Sequence, residues 1–148
     1  VVVDAIDREN GQVLKFTGDG LLAIFPVKAR GKEKACQAAT RAALDAQQRL
    51  SVLNHKRERR GIPTTRMGIG LHVGNILYGN IGATDRMDFT VIGPAVNLTA
   101  RIQQIESSVE HAAIVSSAFA ASIANATTPL GEHVLKGVTK PINVFGLG

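Results

Sequence analysis

A carboxylate between two glycines follows a lysine in the segment Lys15-Phe16-Thr17-Gly18-Asp19-Gly20. Because glycine leaves room for close approach, an aspartate in such a position can reach a phosphate-bound Mg²⁺. The same Gly-Asp-Gly sequence is also ordinary turn chemistry. Taken by itself, the segment leaves a metal ligand and a simple turn as alternatives.

An amide and a guanidinium, Asn97 and Arg101, stand four residues apart. On a helix this spacing puts both side chains on one face. The forked donors of arginine match phosphoryl oxygens, so the pair can hold a ribose and a phosphate. The alternative for these residues is a surface hydrogen bond, or a salt bridge to Glu106 or Asp88. The pair borders an apolar stripe formed by Leu98, Ile102 and Ile105.

The first half of the chain must supply the elements that position the lysine and the aspartate. Residues 1–10 are predicted to end a helix that stops at Gly11, and residues 12–16 and 21–25 to form a hairpin. A long helix is predicted from about Lys32 to Arg60, because six apolar residues recur at spacings of three and four. These residues are Ala35, Ala39, Ala42, Ala46, Leu50 and Leu53.

The second half begins with a strictly alternating strand at residues 66–73. One face of this strand is apolar, and the other consists of Gly68, Gly70, His72 and Gly74, so another element must approach its backbone closely. The remaining pattern predicts a hairpin around residues 75–82, strands at 87–92, 113–115, 133–136 and 142–147, and helices starting at Pro94 and Ser116. The helix from Pro94, which carries Asn97 and Arg101, is expected to end near Glu106.

This order of elements predicts a single α+β domain over residues 1–148. It is ferredoxin-like, with a mostly antiparallel sheet and helices on one side. With 148 residues, of which 45% are hydrophobic, the chain is long enough to bury one core.

Composition bears on location and partners. No apolar run approaches the roughly 20 residues that span a bilayer, and the first residues do not resemble a signal peptide, so no direct membrane contact is expected. The lone Cys36 excludes an internal disulfide and fits a reducing compartment. A cytoplasmic location is predicted, either for the chain itself or as the cytoplasmic domain of a larger protein.

The net charge of +5 does not indicate a nucleic-acid partner. Much of the excess positive charge lies at the predicted end of the long helix, where cations complement the helix dipole. The chain has one Tyr and no Trp, and its basic residues are not interleaved with aromatic ones that stack on bases. The clustered residues are His55, Lys56, Arg57, Arg59 and Arg60.

Four segments together resemble the catalytic domain of class III adenylyl and guanylyl cyclases. They occur in the family's order and at similar spacing, and they cover essentially the whole chain. The resemblance implies the nucleotidyl cyclase fold. The segments are Lys15-x-x-Gly18-Asp19, the strand from Gly68 to Gly74, Gly79-x-x-Gly82, and Thr90-Val-Ile-Gly-x-x-Val-Asn97-x-x-x-Arg101.

The resemblance also implies a role for each matching residue. Asp19 matches the second of two aspartates that hold a pair of Mg²⁺ or Mn²⁺ ions. Lys15 and Thr90 match the positions that read the purine edge, and a lysine with a threonine is an adenine-reading combination. Asn97 matches the residue that orients the ribose, and Arg101 the one that stabilises charge on the reacting phosphate.

The implied activity is conversion of ATP to 3′,5′-cyclic AMP and pyrophosphate in intracellular signalling. In the family each site is shared between two chains, so the resemblance implies a homodimer with two sites. An alternative from another class is a non-catalytic cyclase-like module that binds a nucleotide or dimerises to regulate an attached domain. A diguanylate cyclase is disfavoured, because its characteristic turn motif is absent.

Two positions depart from the family pattern. The family's first metal aspartate lies on a strand well upstream of the Lys15 segment, and this sequence contains no match to it. We therefore expect an incomplete domain that lacks the first strand and the first helix region, and a fragment that is inactive by itself; true loss of the aspartate is the alternative. Asp4 and Asp7 are expected to be surface carboxylates of the first helix.

The second departure lies in the last hairpin, where the family often has a lysine that contacts the triphosphate. Val138 aligns with this position. Lys136 and Lys140 are the candidate substitutes, and both are equally consistent with solvated turn lysines. His72 is expected to be a structural residue rather than a general base, because no partner for proton transfer accompanies it.

Overall fold

The computed structural model describes residues 2–17, 20–27, 31–74, 77–81, 88–92, 94–105, 111–134 and 141–148. These ranges contain both helices and a mostly antiparallel set of strands, in agreement with the predicted α+β class. The helices are α1 Val2–Arg8, α2 Lys32–Arg59, α3 Pro94–Gln103 and α4 Ser117–Ala120. The strands are β1 Gln12–Thr17, β2 Gly20–Ile24, β3 Gly70–Leu71, β4 Leu77–Ile81, β5 Asp88–Ile92, β6 Ala113–Ser116, β7 Thr127–His133 and β8 Ile142–Leu147.

The strands form one four-stranded sheet and two hairpins. The sheet has the order β3-β6-β8-β7, in which β3 runs parallel to β6 and the other pairs are antiparallel. One hairpin pairs β1 with β2 and the other pairs β4 with β5. The predicted hairpins at the start of the chain and beyond residue 75 are therefore both present.

One face of the four-stranded sheet is covered by α2. The alanine stripe of this helix lets it lie close to the sheet, because a methyl group adds little height above the helix backbone. Cys36 is 3% exposed in this contact, and its burial raises the pKa of the thiol. Leu53, at the far end of the predicted stripe, is only half-buried. The buried cluster consists of Cys36, Ala39, Ala43, Ala113, Val115, Phe119 and Leu147.

The opposite face of the sheet is covered by α3. Ile102 and Ile105 of α3 pack on Ile114 of β6 and Val144 of β8. Successive side chains of a strand point to opposite faces, so Ile114 faces α3 while its neighbours in β6 face α2. The expectation that the helices lie on one side of the sheet is wrong. The physical reason is that β6 is buried along its whole length, on both faces.

The glycine that follows α1 has a different role from the predicted helix stop. Asn10 takes the left-handed conformation that ends the helix, with φ 59°. Gly11 then donates its backbone N–H to the Ile6 carbonyl at 2.9 Å. A Cβ at Gly11 would lie 2.7 Å from side-chain atoms of both Ile6 and Phe25, so close packing is what requires glycine there.

Two strands differ from their predicted positions. The alternating segment 66–73 forms a strand only at Gly70 and Leu71, although Ile69 also accepts a hydrogen bond from the Ile114 backbone. The strand predicted from residue 133 begins six residues earlier, at Thr127, and is described to His133. Residues 135 and 136 of the predicted strand lie outside the described residues. The register of the observed strand shifts between Pro129 and Glu132, and a bulged strand at a sheet edge tolerates proline.

Candidate active site

The β1–β2 hairpin carries the first pair of candidate residues. Lys15 pairs with Leu22 across the hairpin, and Thr17 pairs with Gly20. Asp19 lies outside the described residues, in the sequence between these two paired strand ends. The register shifts between Val13 and Lys15, immediately before the lysine. Such bulges re-aim the side chains that follow them, and this feature has no signal in the sequence.

The strand that carries Thr90 lies next to the strand that carries Lys15. Thr90 is the central residue of β5 and pairs with Gly79 of β4. Cα atoms of β1 and β5 come within 8 Å of each other, although the two strands belong to different hairpins. The fold therefore brings together two strands whose candidate residues are 75 residues apart in the sequence.

Helix α3 carries the second pair of candidate residues. Pro94 opens the helix, where its missing N–H costs nothing, and the apolar stripe of the helix is buried on the sheet. Asn97 is exposed and Arg101 is half-buried. Arg101 Nη1 donates a hydrogen bond to Gln104 Oε1 at 3.1 Å. A guanidinium has five N–H donors, and this contact uses one of them.

The position of α3 is set by the glycine face of the segment 68–74. A Cβ at Gly70 would lie 2.7 Å from the backbone nitrogen of Gln103 and 2.9 Å from the carbonyl oxygen of Thr99. The side chain of Gln103 also donates to the Gly68 carbonyl at 3.3 Å. The predicted close approach to this face is confirmed, and the element that approaches is the helix carrying Asn97 and Arg101.

His72 lies on the same face as these glycines. Its Nδ1 is 2.7 Å from the Oγ of Ser116, and burial of the ring lowers the pKa of the imidazole. This hydrogen bond is consistent with the expected structural role of His72. Ser116 could not be identified as the partner from the sequence, because it lies 44 residues further along the chain.

The other predicted site residues lie elsewhere. Lys136 and Lys140 are outside the described residues. Asp4 and Asp7 are exposed on α1, as expected for surface carboxylates. Within the part of the chain that the structure describes, no group of three or more His, Cys, Asp or Glu residues could hold a metal ion. Among the described helices, none is both long and apolar enough to cross a bilayer.

A sequence model of the adenylate and guanylate cyclase catalytic domain matches residues 3–147. The chain belongs to this family. The match extends over all the candidate residues on β1, β5 and α3. It confirms the family resemblance that the four sequence segments indicate.

Several cyclase-family relatives are similar over most of this chain. An uncharacterised protein of Mycobacterium tuberculosis is 35% identical over 97% of this chain and 26% of its own length. Adenylate cyclase 1 of Rhizobium meliloti is 27% identical over 96% of this chain and 22% of its own length. The adenylate cyclase of Anabaena cylindrica is 37% identical over 67% of this chain and 19% of its own length. The chain thus spans about a quarter or less of these relatives.

Solved structures confirm the nucleotidyl cyclase fold. The adenylyl cyclase CyaB from P. aeruginosa matches with a TM-score of 0.84, and the guanylyl cyclase Cya2 with 0.83. Each is 27% identical to this chain, and each match covers 99% of this chain and 76% of the other. Because one is an adenylyl and the other a guanylyl cyclase, likeness of fold does not select the nucleotide. That choice depends on the residues that contact the purine.

Proposed function

We propose that this chain carries the catalytic residues of an adenylate cyclase that converts ATP to 3′,5′-cyclic AMP and pyrophosphate in intracellular signalling. The observation that carries the proposal is the placement of the three elements that bear candidate residues, β1, β5 and α3. The strands of Lys15 and Thr90 lie side by side, and Asn97 and Arg101 share a helix that is anchored tightly on the sheet.

Lys15 and Thr90 would select adenine by hydrogen bonding. The Watson–Crick edge of adenine presents a ring-nitrogen acceptor beside an amino donor, whereas guanine presents a ring N–H donor beside a carbonyl acceptor. A lysine ammonium only donates, and a threonine hydroxyl can accept. The pair therefore complements adenine, with Lys15 donating to the ring nitrogen and Thr90 accepting from the amino group.

Asn97 and Arg101 would act on the sugar and the reacting phosphate. In the reaction a bond forms between the ribose 3′-oxygen and the α-phosphorus, and the bond from that phosphorus to the β-phosphate oxygen breaks. Pyrophosphate leaves with the bonding electron pair, and the 3′-hydroxyl proton passes to water. Asn97 orients the ribose, and Arg101 stabilises the negative charge that grows on the phosphoryl oxygens.

Mg²⁺ or Mn²⁺ is the cofactor that fits Asp19. Carboxylate oxygens are preferred ligands of these ions, and glycines on both sides of Asp19 leave room for a phosphate-bound ion. When bound, such ions neutralise charge on the triphosphate. Lys136 and Lys140 are the residues we propose for further contacts to its phosphates.

The active form that we propose is a homodimer with two shared sites. Asp19 follows β1 in the sequence, whereas α3, which carries Asn97 and Arg101, packs on β3 and β6. A dimer with twofold symmetry brings the same surface of each chain to its partner, so residues from two regions of one chain can meet across the interface. Each site would combine Asp19 of one chain with Asn97 and Arg101 of the other.

The test is cyclic AMP formation from Mn²⁺-ATP by the full natural protein that contains this chain. Arg101→Ala and Asp19→Ala should each lower kcat about 100-fold to 1,000-fold, the usual effect of removing a group that stabilises transition-state charge. Arg49→Ala is the matched control, because Arg49 pairs with Asp45 within α2. Its activity should equal that of the wild type.

Cyclic AMP formation that survives Arg101→Ala would refute the assignment of this residue. Tight ATP binding without turnover by the wild type would replace the proposal with a non-catalytic nucleotide-binding module. Absence of both turnover and nucleotide binding would refute the cyclase proposal and the nucleotide-binding alternative together.

A further inference from the structure

We propose that His72 is a positioning residue, which fixes the first turn of α3 and thereby the placement of Asn97 and Arg101. The inference rests on the proposed cyclase function, and it assigns a role to a histidine whose side chain bonds Ser116 of β6. The geometry that carries it is a chain of contacts from β6 through His72 to the start of α3.

The contact with β6 is rigid. Ser116 is only 5% exposed, at the end of β6, and its Oγ also accepts the backbone N–H of Phe119 as the N-cap of α4. Phe119 is itself buried in the core between α2 and the sheet. The hydroxyl that holds His72 Nδ1 at 2.7 Å is therefore fixed by a strand, a helix cap and the core together.

The contact with α3 passes through Gly74. A Cβ at Gly74 would lie 2.9 Å from the Ala95 Cβ and 3.2 Å from His72 Nε2. The imidazole and the Ala95 methyl thus both lie next to the Gly74 backbone, on its side-chain side. Ala95 is in the first turn of α3, two residues before Asn97. The ring supports this end of the helix, while Gly70 contacts the backbone further along it, at Thr99 and Gln103.

A neutral ring suits this role. Burial lowers the pKa of His72, so the imidazole is uncharged at neutral pH. It therefore packs against Gly74 without the desolvation cost of a buried charge. A displacement of about 1 Å at α3 is enough to lower a rate about 100-fold, so small losses of support should be visible in catalysis.

The experiment compares His72→Phe with His72→Asn in the full natural protein. Phenylalanine keeps the size of the ring and removes the nitrogen that bonds Ser116, whereas asparagine keeps a polar group near the Nδ1 position. We expect His72→Phe to lower kcat about 10-fold to 100-fold. The KM for ATP should change by less than about threefold, because the proposed purine-reading strands are not displaced. His72→Asn, which can keep the bond to Ser116 but lacks the ring beside Gly74, should recover only part of kcat.

A matched control separates positioning from loss of stability. Thr40→Val removes another buried side-chain hydrogen bond, from Thr40 Oγ1 to the Cys36 carbonyl within α2. This variant should lose thermal stability without losing kcat at a temperature where it stays folded. If Thr40→Val lowered kcat as much as His72→Phe does, or if His72→Phe left kcat unchanged, the positioning role would be refuted.

Amide hydrogen exchange supplies a readout that does not depend on cyclase activity. His72→Phe should raise the exchange rate of amides in residues 94–103 and leave those of α2 unchanged. Equal exchange in α3 of the wild type and the variant would overturn the inference even if the protein proved to have no cyclase activity. An inactive wild type with faster α3 exchange in the variant would refute the proposed function and leave the positioning role standing.

Discussion

At the scale of single residues, the proposed nucleotide choice rests on two residues on strands that approach each other. Lys15 and Thr90 lie in different hairpins, and only the approach of β1 to β5 brings their strands together. Neither residue has a specific meaning when taken alone. The pair gains a specific meaning because a donor next to an acceptor matches one purine edge and mismatches the other.

Replacing both residues tests this reading of the purine pocket. The double variant Lys15→Glu with Thr90→Cys should lower the preference for ATP over GTP, measured as the ratio of kcat/KM values, by at least about tenfold. The physical reason is that a site built to hydrogen-bond one edge leaves polar groups unpaired against the other. Lys34→Glu, an exposed lysine on α2, is the charge-matched control. An unchanged ratio in the double variant would show that other residues read the base.

At the scale of elements, the packing contact between α3 and the segment 68–74, here called the seam, determines where Asn97 and Arg101 lie. Backbone atoms of Thr99 and Gln103 lie so close to Gly70 that a Cβ at this position would clash with them. The fully buried Ile102 on the same helix adds about 1.5 to 3 kcal/mol of burial energy to the seam. Catalytic geometry and core packing therefore depend on the same contact.

Gly70→Ala should move α3 away from the sheet. The new methyl group would meet backbone atoms, which cannot rotate aside, so we expect a loss of about 1 to 3 kcal/mol in the free energy of unfolding. Because the helix carries Asn97 and Arg101, the residues that we propose act in catalysis, kcat should also fall about 100-fold. Urea titration and steady-state kinetics measure the two effects.

Gly146→Ala is the matched control for this overpacking. Its methyl group would meet the His111 side chain, 2.6 Å away, and not α3. Stability should fall while kcat is retained. A Gly70→Ala variant with normal kcat would show that the close approach of α3 has no catalytic importance.

At the scale of the whole molecule, the shared-site arrangement predicts complementation between inactive variants. Asp19→Ala removes a group from one half of each proposed site, and Arg101→Ala removes a group from the other half. In an equal mixture half of the dimers contain one chain of each kind, and each mixed dimer has one intact site. Activity should therefore return to about a quarter of the wild-type value.

Mixing is done after dissociation and reassociation of the chains, with each variant alone as the baseline. The mixture of Arg101→Ala with Asn97→Ala is the negative control, because both changes lie on α3 and no mixed dimer regains a complete site. Recovery in this control, or none in the Asp19 and Arg101 mixture, would mean that the sites are not shared in the proposed way.

Local sequence patterns predicted most of the elements. The stripe of alanines gave α2 to within a residue of its observed ends, and the hairpin around Asp19 was predicted with the correct two strands. The start of β7 was misplaced because Pro129 and Gly131 argue against a strand, and the edge of a sheet is where such residues are tolerated. The helices were wrongly expected on one side of the sheet, because apolar runs as short as β6 do not show that both faces are covered.

The sequence by itself determined the residue types, their order and the period of each helix and strand, and hence the family and the fold class. These are local properties, set by backbone sterics and by the spacing of apolar residues along the chain. Tertiary structure alone decided that β1 lies beside β5, that α3 rests on Gly70, and that His72 bonds Ser116. Each of these contacts joins residues far apart in the chain, and no local pattern records which distant partner a side chain meets once the core has packed.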